Sequence, residues 1–294
     1  MLDDCLRDWV GLDAGCEPAS GLYVNALPGV SLEGMEAGAD GEQAHYPGVW
    51  RAVQTAAFAK FRTDVLAAFG PCFRPTLSNG PLSAGKPGGR PLPQQPGLRG
   101  LRFKIPCGDF ARVYLRRISV RLVEPVDLVL LLADGESLVE INVSGAAGNN
   151  VLDVEHGFLP ELEIAYDATD VYADGGPIAQ SDVFGFAGGA DVCDECFGLS
   201  VEYEIRCDFD RWLCSMKTLL RTPLWYLLGA EALRQRIGSD RFNRFTTFDR
   251  DGLRALFQDY ENEYQKALKN VCASIRLPND PCFCFDPPVQ SHYL

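Results

Sequence analysis

The chain has 294 residues, 47% of them apolar and 11% aromatic, a composition that folds and can bury roughly 75% of the unfolded surface in one large core or two modest ones. Neither the acidic start "MLDDCLRDWV" nor the six-residue apolar run of "DLVLLLAD" fits a secretory signal or a membrane-spanning helix. Formal net charge is -13, and one segment supplies it: between Leu122 and Ile205 there are 18 acidic residues and no Lys or Arg, which repels nucleic acid phosphate and attracts cations or a basic protein face.

In chain order, residues 49 to 69 place Trp50, Val53, Ala57, Phe61 and Val65 at helical spacing, and Gly70 and Pro71 stop the helix. Residues 70 to 100 are so rich in Gly and Pro that they read as a long loop or linker. From Leu101 the period becomes two. In "GLSVEYEIRCDF" the residues Leu199, Val201, Tyr203, Ile205 and Cys207 alternate with polar neighbours, and similar short runs separated by turn signals predict an antiparallel sandwich or jelly roll. After Asp208 helical spacing returns, with Thr222 as cap, Pro223 at the first position and Gly238 past the end. A last helix starts near Asp249 and carries an apolar stripe from Leu253 to Val271. The expected fold is therefore α+β: an N-terminal helical segment, residues 1–99, and a C-terminal one, 209–294, pack together, with an acidic β domain at 100–208 inserted between them.

Catalytic signatures are few. "GPLSAGKP" has the Gly80, Gly85, Lys86 spacing of a phosphate loop, but Pro87 stands where a hydroxyl is needed, and neither flanking strand nor helix is expected. The three histidines, His45, His156 and His292, form no metal motif, and no nucleophile elbow occurs. Eleven cysteines, an odd number, are expected to be mostly reduced thiols in a cytosolic setting. Cys193 and Cys196 with Cys282 and Cys284 could offer four thiolates to zinc, and Asp167, Asp170 and Asp174 could offer oxygens to calcium, although neither set has regular spacing. Glu161 and Glu163 share a strand face, as a glycosidase pair would, and alternate acids on a solvent face are the plainer reading. No enzyme activity and no cofactor are expected.

Two segments, "SGLYVNALPGVSLEG" at 20–34 and "TPLWYLLGAEALRQRIGSDRFNRFTTFDRD" at 222–251, with "YDATDV" and "GLSVEYEIRC" between them, resemble a family of structural proteins of tailed bacteriophages and prophages. The resemblance implies a virion component assembled in the host cytoplasm, similar in kind to the head-to-tail connector or adaptor proteins that form rings below the portal. It implies as partners further copies in a ring and neighbouring portal, tail or neck proteins, with nucleic acid at most passing through the ring and no membrane. A ring subunit carries two different complementary surfaces. Arginine and aromatic residues are enriched at such contacts, so Arg234, Arg236, Arg241, Phe242, Arg244, Phe245, Phe248 and Arg250 are the expected interface. The competing reading has the same arginines capping helices or pairing within their own chain. Two other functions fit a sandwich with acidic loops: a lectin-like carbohydrate-binding virion module, and a glycoside hydrolase using paired carboxylates.

Overall fold

The computed structural model describes residues 2–13, 22–37, 46–88, 90–192, 194–238 and 250–284. The chain divides into two compact units: Met1–Phe73 with Phe209–Pro278, and Arg74–Asp208 with Asn279–Phe285.

The first unit is helical. It contains α1 (Leu2–Arg7), α2 (Leu32–Ala37), α3 (Tyr46–Phe69), α4 (Phe209–Ser215), α5 (Lys217–Gly238) and α6 (Arg250–Ser274). On α3 the buried stripe is Val49, Val53, Ala57, Phe61 and Val65, one residue off the expected start, and Trp50 is half-buried. Trp9 meets Phe61 edge-on at 6.2 Å and Trp212 meets Phe69 at 4.9 Å, the T-shaped geometry that ring quadrupoles favour. Helix α5 begins five residues before Thr222, so Pro223 lies inside it. The amides of Leu219 and Leu220 close the first turn onto the Met216 carbonyl, and the buried Leu220 anchors that turn. Tertiary packing thus outweighs the hydrogen bond that Pro223 forfeits.

The second unit is a β-sandwich. Its strands are β1 (Leu82–Ala84), β2 (Arg90–Pro91), β3 (Leu98–Lys104), β4 (Ala111–Leu122), β5 (Val126–Ala133), β6 (Leu138–Gly145), β7 (Gly148–Phe158), β8 (Glu161–Asp167), β9 (Asp174–Gly175), β10 (Val183–Ala187), β11 (Ala190–Val192) and β12 (Leu199–Cys207). One sheet has the order β1-β12-β4-β7, a second β11-β10-β3-β8-β5-β6, and β2 pairs with β9. Inward residues of both larger sheets, among them Leu115, Ile118, Leu130, Ile164, Val201 and Tyr203, form one core, and Phe103 meets Tyr203 edge-on at 5.1 Å.

Residues 74–100 belong to this unit and are not a free loop. Within them β1 adds to the sheet at Leu82↔Tyr203, and β2 pairs at Arg90↔Gly175. These are edge positions, where a proline costs no ladder bond. The tract is tied down further by the buried Arg99, which donates to the Pro93 carbonyl and the Gln95 Oε1, each at 2.7 Å. The phosphate-loop spacing at 80–87 falls on β1, and no helix follows it.

The expectation of mostly reduced cysteines is corrected. Cys5 bonds Cys214 and Cys207 bonds Cys282, while Cys72 and Cys284 are also disulfide-bonded; Cys107, Cys196 and Cys272 are free. Helices α1 and α4 bring Cys5 and Cys214 to a Cα separation of 6.0 Å across 209 residues of sequence, an adjacency that spacing along the chain cannot reveal.

Candidate binding cleft in the six-stranded sheet

A cleft opens where two strands of the six-stranded sheet part. Strand β5 pairs with β6 along its whole length, from Val126↔Gly145 to Ala133↔Leu138. With β8 it pairs only at Leu131↔Ala165, Leu132↔Ile164 and Ala133↔Glu163. Beyond Ala165, β8 stays with β3 as far as Asp167↔Leu98, and the Ala168 amide donates to the Gly97 carbonyl at 3.0 Å. Asp167 Oδ1 then accepts from the Thr169 amide at 3.0 Å and hydroxyl at 2.6 Å, a local turn that leads the chain away from β5.

The result is a cleft of about 530 Å³. Its apolar lining includes Val129 and Leu131, and its polar lining is Asp127, Asn142, Ser144, Asp167, Thr169 and Asp170. In an antiparallel ladder alternate residues turn their N–H and C=O groups to one side. Every second residue from Val126 to Leu130 therefore presents its backbone to the opening, where β8 no longer pairs. The Thr169 hydroxyl and amide hold the Asp167 carboxyl below the usual carboxylate range, so it stays charged. Asp127 and Asp170 make no ion pair among the described residues, and the lining holds no Lys or Arg.

A second hollow of about 400 Å³ lies over the same sheet, lined by Arg102, Lys104, Asp134, Glu161 and Glu163. Its charges are largely matched internally. Arg102 Nε donates to Glu163 at 2.7 Å, Arg102 also pairs with Asp191, and Lys104 reaches Asp191 at 2.9 Å. Glu163, one of the two carboxylates of the expected glycosidase pair, is thus engaged by its own chain.

The metal sets fare as follows. Cys282 is bonded to Cys207, Cys284 is disulfide-bonded, Cys196 is a buried thiol whose pKa burial raises, and Cys193 lies outside the described residues. Four free thiolates are therefore not available to zinc, because oxidation has consumed two of them. Asp174 Oδ2 accepts from Arg121 at 2.8 Å and is not part of the cleft, so Asp167 and Asp170 are not joined by the third expected calcium ligand. Among the described residues no group of three or more His, Cys, Asp or Glu side chains is placed to hold a metal ion.

Of the expected interface, Arg241, Phe242, Arg244, Phe245 and Phe248 lie outside the described residues. The other three arginines make contacts within their own chain. Arg234 pairs with the buried Glu231 at 2.6 Å, Arg236 Nη1 donates to the Gly29 carbonyl at 3.0 Å, and Arg250 Nη2 donates to the Ile237 carbonyl at 3.3 Å, near the end of α5.

Arg236 belongs to a clasp that joins the two segments quoted for the phage resemblance. Trp225 Nε1 donates to the Tyr23 carbonyl at 2.5 Å, and Tyr260 Oη of α6, just beyond the second segment, donates to the Pro28 carbonyl at 2.7 Å. Gly229 sits so close to Leu27 that a side chain there would collide with it. These segments are thus a structural joint of the helical unit. The β5–β8 cleft was missed in the sequence because strand pairing is not local. The one available signal was Asp127, a carboxylate at the head of an otherwise apolar strand. Comparison of the chain with protein-family models, with curated proteins and with solved structures found no match.

Proposed function

We propose that this protein is a structural subunit of a tailed-phage particle, a head-to-tail connector or adaptor that acts by protein–protein contact in a ring. The observation that carries the contact reading is the uncovered, acidic side of the sandwich. Among the described residues strand β6 pairs only with β5; it is eight residues long and contains no Lys, Pro or bulge of the kind that normally blunts a sheet edge. Leu138 on it is 63% exposed. Glu140 on the same strand makes no ion pair among the described residues. Such an edge in a protein that acts alone invites aggregation, whereas in a subunit it is a surface held for a neighbour. The phage assignment is supported by the resemblance of residues 20–34 and 222–251.

The test is sedimentation and native mass measurement of the full chain beside Leu138→Lys combined with Glu140→Lys. An oligomer that the double substitution dissolves, with an unchanged unfolding midpoint, is the expected result. A lone monomer that turns over a small substrate or binds a glycan would overturn the reading.

A further inference from the structure

We propose that the split between β5 and β8 is a receptor for one extended, lysine- or arginine-bearing segment of a second protein, which adds to β5 as a strand. The inference concerns a different surface from the β6 edge and does not need the ring to be true.

Three features specify the occupant. First, the freed backbone of Val126–Leu130 is an internal sheet edge, and an edge of alternating donors and acceptors selects an extended peptide, because main-chain bonds supply the affinity while alternate side chains supply the choice. Second, the outer face beside it alternates along β5 and across to β6. Asp127 pairs with Ser144, Val129 with Asn142 and Leu131 with Glu140, so a bound strand meets carboxylate and hydroxyl, then an apolar side chain, in step with its own period of two. Third, the carboxylates of Asp127, Asp167 and Asp170 converge on a lining with no cation of its own, which selects positive side chains and repels acidic ones. A carbohydrate would find hydroxyl partners here but no aromatic ring to stack on, since the lining contains none. A second copy of the chain is disfavoured as the source, because β1, β6, β7 and β11, the strands at the free edges of the two larger sheets, carry no Lys or Arg to meet the carboxylates.

The probe is a set of fluorescein-labelled hexapeptides of the pattern X-Val-X-Val-X-Val, with X drawn from Lys, Thr and Glu, titrated against the full chain by fluorescence anisotropy. Affinity is expected to rise with the number of lysines, with the all-Lys peptide binding at least tenfold more tightly than the all-Glu peptide. N-methylation of alternate backbone nitrogens in the all-Lys peptide should cost at least tenfold, which electrostatic sticking alone would not. Asp127→Lys with Asp170→Lys should also cost at least tenfold, and Asp127→Asn with Asp170→Asn provides the milder version should the reversal disturb folding. Hydrogen exchange should slow on binding at residues 126–130 and not at 138–145. Absence of saturable binding by any peptide, indifference to N-methylation, or protection appearing on β6 would each overturn the proposal. If the double reversal instead changes the oligomeric state of the free chain, the occupant is a second copy and the assignment to another protein fails. Loss of the oligomer in Leu138→Lys alone, a position outside the cleft lining, with peptide binding intact would separate this cleft from the ring contact.

Discussion

Asp134 ends β5, and its replacement by Asn measures how far one buried carboxylate organises the sandwich. Asp134 as a residue is 7% exposed. Oδ1 accepts from the Glu136 amide at 3.1 Å, the Ser137 amide at 2.7 Å and the Ser137 hydroxyl at 2.9 Å, closing the β5–β6 turn, while Oδ2 accepts from the Leu159 amide at 2.8 Å, just before β8. Burial works against its charge, but the hydrogen bonds from Leu159, Ser137 and Glu136 outweigh it and hold the carboxyl below the ordinary carboxylate range. Asn keeps the shape but has one acceptor oxygen and one NH₂ group. Whichever way it turns, one side of the clamp faces donor against donor. Losing a charge-assisted bond costs about 1.5–3 kcal/mol, and the stranded Leu159 amide adds to it, so we expect a loss of about 3 kcal/mol at neutral pH.

All four tryptophans, Trp9, Trp50, Trp212 and Trp225, lie in the helical unit, so their fluorescence does not report on the sandwich. The assay is urea unfolding followed by far-ultraviolet dichroism, with hydrogen exchange read at Glu136, Ser137 and Leu159. Because the folded pKa is depressed, the contribution is fully present above the unfolded value near about 3.9 and is lost as pH falls through the folded one. The gap between wild type and Asp134→Asn should therefore narrow as pH drops below about 4. A loss under about 0.5 kcal/mol, the range of an ordinary surface change, with unaltered exchange at Leu159, would refute the reasoning.

Two further outcomes test the rest of the fold. Gly100 on β3 lies opposite Ala165 of β8 so closely that a methyl group would fall within the radius of the Ile164 carbonyl oxygen. Gly100→Ala should cost about 3 kcal/mol, since the obstruction is backbone that cannot swing aside, and calorimetry checks it. Replacing Cys5 and Cys214 together by Ser should lower stability by about 2–4 kcal/mol, read by tryptophan fluorescence in urea; identical midpoints with and without reductant in the wild type would count against the bond.

The helices at 46–69 and 250–274 and the alternating run at 199–207 were legible from residue spacing, because each reports only which face of a local element meets a core. The α+β class followed from the same periodicities. The start of α5 was not legible, since Thr222 and Pro223 read locally as a helix cap and first position, and only the burial of Leu220 and Leu224 carries the helix back to Lys217 through the proline. Nor was the role of Arg236, whose partner is a carbonyl 207 positions away.

Local patterning in this polypeptide decides where strands and helices lie and which side of each is apolar. It does not decide who pairs with whom. The Cys5–Cys214 bond, the Trp225 clasp on Tyr23, and above all the parting of β5 from β8 depend on contacts between distant residues, and a ladder that stops after three pairs looks in one dimension like one that runs its full length. The opening exists because β8 follows β3 and not β5, a competition settled only once all three strands are in the sheet.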